Sequence, residues 1–261
     1  MNLARVRMAI LMFAAIIVGV PAAQATPCST ASVKGVYGIS TVGVGLNGSG
    51  QPASSIYQIT ADGMGNVTGL ATKSIDGTIV TFTFTGTYTV AANCTGTATF
   101  TNQNNQVEHD TFVLNNANKG AFLIQTDTVH VQSSFAVAQG TITSCVDATA
   151  AHTYSMQLSG LDPGTGQVAY EGQLILKEKT VGTTETDTIT GTLTVSLNGT
   201  ITSAVPVTGT YSINSNCTGS AVITPMGMST MNLNLVIVNA GKEILAIETD
   251  NNTIVTGLLQ E

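Results

Sequence analysis

The chain has 261 residues, 43% of them hydrophobic and only 9% charged, with 8 basic residues against 15 acidic ones. So little positive charge argues against a nucleic acid partner, which needs a basic face to neutralise phosphates. The hydrophobic content and the recurring β-branched residues argue against a disordered chain.

Met1 to Ala25 has the form of a targeting segment: Arg5 and Arg7, an apolar run from Met8 to Val20, then Ala23-Gln24-Ala25 as a cleavage site. It is too short for a membrane span. Cys28 lies close enough to raise lipidation, but Thr26-Pro27 before it spoils the small-residue pattern that lipidation needs. Cleavage near Ala25 is expected to release a secreted protein, extracellular or periplasmic. Both arginines leave with that segment, so six lysines face 15 acids, a net charge of −9. Bidentate guanidinium recognition is then unavailable to the mature chain.

Cys28 opens a first module, residues 26–140, and Gly35 to Ile39 is its first strand. A Gly-rich turn follows at Gly45 to Gln51, and Asp62-Gly63-Met64-Gly65-Asn66 is a short hairpin. Phe82, Phe84, Gly86, Tyr88 and Val90 then alternate with threonines, and after a three-residue connector Cys94, Gly96, Ala98 and Phe100 do the same. A period of two places each set on one sheet face. Asn93, third in the connector, is assigned the left-handed position of the hairpin. Strands are predicted near 35–42, 54–61, 66–75, 78–90, 94–102, 107–115, 120–127 and 129–138, with no amphipathic helix.

The same plan returns after a linker at Gly140 to Ser144. TGTYTVAANCTGTA (Thr85 to Ala98) recurs as TGTYSINSNCTGSA (Thr208 to Ala221), and Phe112 to Asp127 lies over Leu235 to Asp250 in the same register. Residues 145–261 are therefore a duplicate. Its one long insertion is polar, through Lys177, Glu178, Lys179, Gly182, Glu185 and Asp187, and is expected to protrude. Eight strands joined by short turns favour an all-β protein of two antiparallel eight-stranded barrels, which bury their edges, over two β-sandwiches.

The G-x-Y opening (Gly35, Tyr37), the D-G-x-G-x-V-x-G turn (Asp62 to Gly69) and the T-G-T-Y…C-T-G-T hairpin (Thr85 to Thr97) resemble a group of uncharacterised secreted bacterial proteins. Their modules are similar to small barrels of the calycin or allene-oxide-cyclase kind. These motifs are structural, and the resemblance carries over no catalytic residue.

The four cysteines stand at equivalent places in the two copies, and exported cysteines normally pair. Cys28 with Cys94 and Cys145 with Cys217 is the connectivity that keeps each module self-contained. No metal site or cofactor is expected. Asp62 to Asn66 lacks the later acidic ligand of a calcium loop. Met226, Met228 and Met231 resemble a copper site without a nearby His, and the threonine rows resemble an ice-binding face on a sheet that barrel twist would curve. His109, His130 and His152 are not repeated between modules.

Glu108 and Asp110 are the tentative ligand-binding residues. They share a strand face with Phe112 and Leu114, and the counterparts in the second copy, Met231, Leu233, Leu235 and Ile237, are all apolar. The pair then either stands inside one barrel mouth or lies solvated at its rim. Every phenylalanine after Phe13 lies in the first module, so that core is expected to be the fuller one and any cavity to fall in the second. The functional expectation is a non-enzymatic protein that binds a small apolar ligand in a barrel. The alternative is a structural or adhesive spacer touching surfaces such as glycans, and a cyclase-like barrel enzyme comes third.

Overall fold

The computed structural model describes residues 27–261 apart from 46–49, 116–118, 129, 163, 179, 182–183 and 186. The targeting segment therefore lies outside the described residues, as do parts of the first Gly-rich turn and of the second module's insertion.

The first module is a closed barrel of eight strands in sequence order: β1 (Lys34–Gly45), β2 (Gln51–Asp62), β3 (Asn66–Ile75), β4 (Thr78–Val90), β5 (Thr95–Asn102), β6 (Val107–Asn115), β7 (Gly120–Gln125) and β8 (His130–Ala138). All neighbours are antiparallel, and β1 pairs with β8 to close the ring. The second module repeats this with β9 (Thr153–Asp162), β10 (Gly166–Lys177), β13 (Thr188–Leu197), β14 (Thr200–Ile213), β15 (Thr218–Pro225), β16 (Met231–Val238), β17 (Glu243–Glu248) and β18 (Ile254–Gln260). The insertion forms its own two-stranded sheet, β11 (Thr180–Val181) with β12 (Thr184–Glu185). Barrel closure decides against the sandwich alternative. Among the described residues no helix is long and apolar enough to cross a membrane.

Glycines inside the first barrel face phenylalanines across the ladder. Gly69 pairs with Phe84, Gly86 with Phe100 and Gly96 with Phe112. A Cβ at Gly69 or Gly96 would run into the partner's ring. The missing side chains let flat rings lie against the opposite backbone.

Cys28–Cys94 and Cys145–Cys217 are both bonded, with Cα separations of 5.0 and 4.9 Å. Each closes a loop of 66 or 72 residues, which is worth roughly 4 kcal/mol in the chain-entropy account. The left-handed hairpin position, expected at Asn93, belongs to the next residue: Cys94 has φ 68° and Cys217 φ 66°. Asn93 instead folds back to accept from the Thr95 N–H and hydroxyl, as Asn216 does from Thr218. An Asn side chain that closes its own turn does not need the left-handed backbone. The tyrosine of each T-G-T-Y ties its barrel to the short 3-10 turn that precedes it, Thr30–Ser32 or Asp147–Ala150: the Tyr88 hydroxyl donates to the Val33 carbonyl, and Tyr211 donates to that of Asp147.

The barrels pack against each other through a third apolar cluster. Ile56, Val236, Val238, Leu245 and Ile247 are buried there, with Phe135, Val137 and Leu258 against them. Gly38 permits the approach, because a Cβ at that position would stand 2.6 Å from Val238 Cγ1 and 2.9 Å from Leu245 Cδ1. Polar contacts flank the cluster: Asn234 Nδ2 donates to Thr72 Oγ1 at 3.1 Å, and the buried Ser74 hydroxyl donates to the Thr253 carbonyl.

Candidate functional site

The inward face of β6 carries Glu108 and Asp110 into the first barrel, beside the rim where the 75–78 and 102–107 turns lie. Asp110 is 7% exposed. Glu108 meets Lys73 of β3 at 2.7 Å, with their side chains 22% and 13% exposed, and accepts a long 3.5 Å hydrogen bond from Tyr57. Lys73 also lies 5.3 Å from the Tyr57 ring centroid and 5.8 Å from that of Phe82, within cation–π range. Gln125, the cross-strand partner of Asp110, is buried with an Oε1 that has no hydrogen-bond partner among the described residues. A hydroxyl pair, Thr41 with Ser134 at 2.7 Å, joins β1 to β8 at the same end.

Burial acts against the Lys73 ammonium, but the charges of Tyr57 and Glu108 outweigh it and raise its pKa above the ordinary lysine value. Asp110 goes the other way for a carboxyl: burial first, then repulsion from Glu108, push it up to about 7, with Lys73 opposing. Burial likewise lifts Tyr57 to about 12. The cluster thus holds one ion pair and one carboxyl that changes charge near neutrality.

Sequence patterning found the two acids but missed Lys73, Tyr57 and Gln125. A signal did exist, since the repeat sets Lys73 against Val195, just as it sets Glu108 against Met231. It also missed Glu248, the counterpart of Gln125, which is 7% exposed, and Asp187, expected to protrude with its insertion, is buried as well at 8%. Burial, and next Asp250 and Asp162, raise Glu248 to about 8.

The remaining sequence candidates are accounted for locally. Asp62 accepts from the N–H groups of Met64 and Asn66 and from the Asn66 amide, so its carboxylate serves its own turn. Met231 is buried in the second core and Met228 is partly buried against it, whereas Met226 is 69% exposed, so the three do not share one environment. His109 lies outside the barrel, its Nδ1 2.8 Å from Asp127, which also accepts from the His109 N–H. Asp250 accepts from Asn232 in the same way, so the Thr-Asp ending each copy closes a strand junction.

An apolar cavity of about 50 Å³ lies deeper in the first barrel, lined by Tyr37, Tyr88, Ala121, Ala136 and their neighbours. This corrects the expectation that an empty space would fall in the second barrel. Two of the six phenylalanines do not face inward: Phe122 is 59% exposed and Phe135 packs between the barrels. Opposite the four that do, the first interior is built of alanines where the second has branched side chains. Ala61, Ala71, Ala121 and Ala136 correspond to Leu176, Leu193, Ile244 and Leu259.

No model of a known protein family matches the chain, and no curated protein matches it. Among solved structures, it is similar to the isotype 1 transferrin binding protein B from serogroup B Neisseria meningitidis. Identity is 10% and the TM-score 0.30, over 90% of this chain and 76% of that one. So distant a likeness adds nothing to the architecture read from the strand pairing.

Proposed function

We propose that this is a secreted, non-enzymatic surface or matrix module, a disulfide-braced pair of barrels that makes its contacts through outer faces. The observation that carries this reading is the small cavity of about 50 Å³ in the first barrel. That is room for one or two water molecules, against the ~300–1,000 Å³ of small-molecule pockets. The two disulfides support an oxidising compartment. Titration of the purified protein with an apolar fluorescent probe tests the reading. No saturable binding is expected, and stoichiometric binding quenched by a competing lipid or retinoid would overturn it.

The polar cluster favours a second reading, recognition of a cation or small polar ligand at the mouth of the first barrel. Its support is the pair Glu108 and Asp110, drawn in with Lys73 where the second barrel has only Met231, Leu233 and Val195. Calorimetry with divalent cations and simple sugars, on the protein and on the Glu108→Gln/Asp110→Asn variant, tests it. Binding lost in the variant is the result this reading expects, and no binding by the parent protein would remove it.

A further inference from the structure

The duplication places one sheet face in two different situations. In the second barrel Val236, Leu245 and Ile247 are 4%, 1% and 0% exposed, because this face is pressed onto the first barrel. The same positions in the first barrel are Val113, Phe122 and Ile124, and they are 42%, 59% and 54% exposed. They line an open groove of about 530 Å³ across β4 to β7, edged by Thr89, Thr97 and Thr111. One member of the internal pair of faces is covered, and the other lies bare in the single chain.

We propose that a second copy of this chain covers it, the two first barrels meeting face to face about a two-fold axis. Three observations support that occupant. The groove is lined without a single charged side chain, so a mature chain of six lysines and 15 acids, net charge −9, brings no like charges together there. The patch is continuous with an interface the protein already makes, since Phe122 pairs across the ladder with Phe135 of the inter-barrel cluster. The alternative use of a second copy, a head-to-tail chain of barrels, lacks its complement. The second barrel would have to offer the face that the first offers through Gly38 and Ile56, but Ser155, Gln157, Glu171 and Gln173 stand exposed there instead. Two like apolar faces closing on each other form an isologous interface, which stops at the dimer.

This deepens the surface-module reading by naming a contact, and it fails separately: a monomer would leave the filled-barrel argument untouched. The test is sedimentation equilibrium on the mature, disulfide-bonded chain across a concentration series. A reversible dimer is expected, shifted to monomer by Phe122→Asp and again by Ile124→Lys. Ile201→Asp, at an exposed apolar position on the second barrel, should leave the dimer unchanged, and circular dichroism should show each variant folded. A monomer at every concentration, an open-ended ladder of masses, or a dimer indifferent to both patch substitutions would overturn the proposal.

Discussion

Lys73 and Glu108 show what the interior of a small barrel tolerates. Removing one partner leaves the other charge buried and unpaired, so Glu108→Gln is expected to destabilise the fold by about 3–5 kcal/mol in a denaturant titration. Replacing both with the residues that the second barrel uses there, Lys73→Val with Glu108→Met, should be neutral or stabilising, because paired hydrocarbon avoids the desolvation of two ions. A double replacement as damaging as the single one would show that the ion pair has a structural role beyond its own charges. Asp110 and Glu248 set a pH dependence. Their folded pKa values, about 7 and about 8, stand above the roughly 4 of a carboxyl in an unfolded chain. The native state therefore binds these protons more tightly. The contribution is fully present below pH about 4 and is lost as pH rises through about 7 to 8. Stability of the protein relative to its Asp110→Asn/Glu248→Gln variant should accordingly fall between those limits, and a flat difference would contradict the burial of the two groups. The acids were legible at this scale because their strand alternates. Lys73 stood out only as a charge set against Val195; its pairing with Glu108 was not legible, because the two meet across an interior that only closure brings together.

At the level of elements the period-two patterning carried most of the information. Strand boundaries in the first barrel fall close to where alternation and turn residues place them, and the hairpin motif forms one tight turn in each copy. The left-handed residue was misplaced by one, since Asn93 satisfies its turn through its side chain and leaves the unusual backbone to Cys94. The glycines opposite phenylalanine are specific contacts as well as points of curvature. Gly96→Ala should cost about 1–3 kcal/mol, because its Cβ would meet both the Phe112 ring and the Thr89 carbonyl, measured as a lowered midpoint of thermal unfolding. The alanines that leave the cavity give the opposite expectation. Ala121→Ile, copying Ile244, should fill part of the space and raise stability by up to about 1 kcal/mol; a loss would mean that the surrounding rings cannot yield.

For the whole molecule, the duplication and the closed barrels could be read from one chain, whereas the way the barrels sit together could not. The clue was present in β16 and β17. Leu233 to Val238 and Ile244 to Ile247 are apolar at nearly every position, the mark of strands covered on both faces. Period-two reading assigns only one of those faces to a core, and nothing in the sequence says that Gly38 opens space on the other barrel for Val238 and Leu245. The cavity of about 50 Å³ is too small for a small-molecule ligand, so the proposed contacts are made from the outside of the barrels. Native mass spectrometry of the disulfide-bonded protein is the test of that reading. The expected result is the mass of one chain, or twice that mass, less two hydrogens for each disulfide, with nothing else retained. A stoichiometric small molecule that survives desalting and is released on unfolding would contradict it.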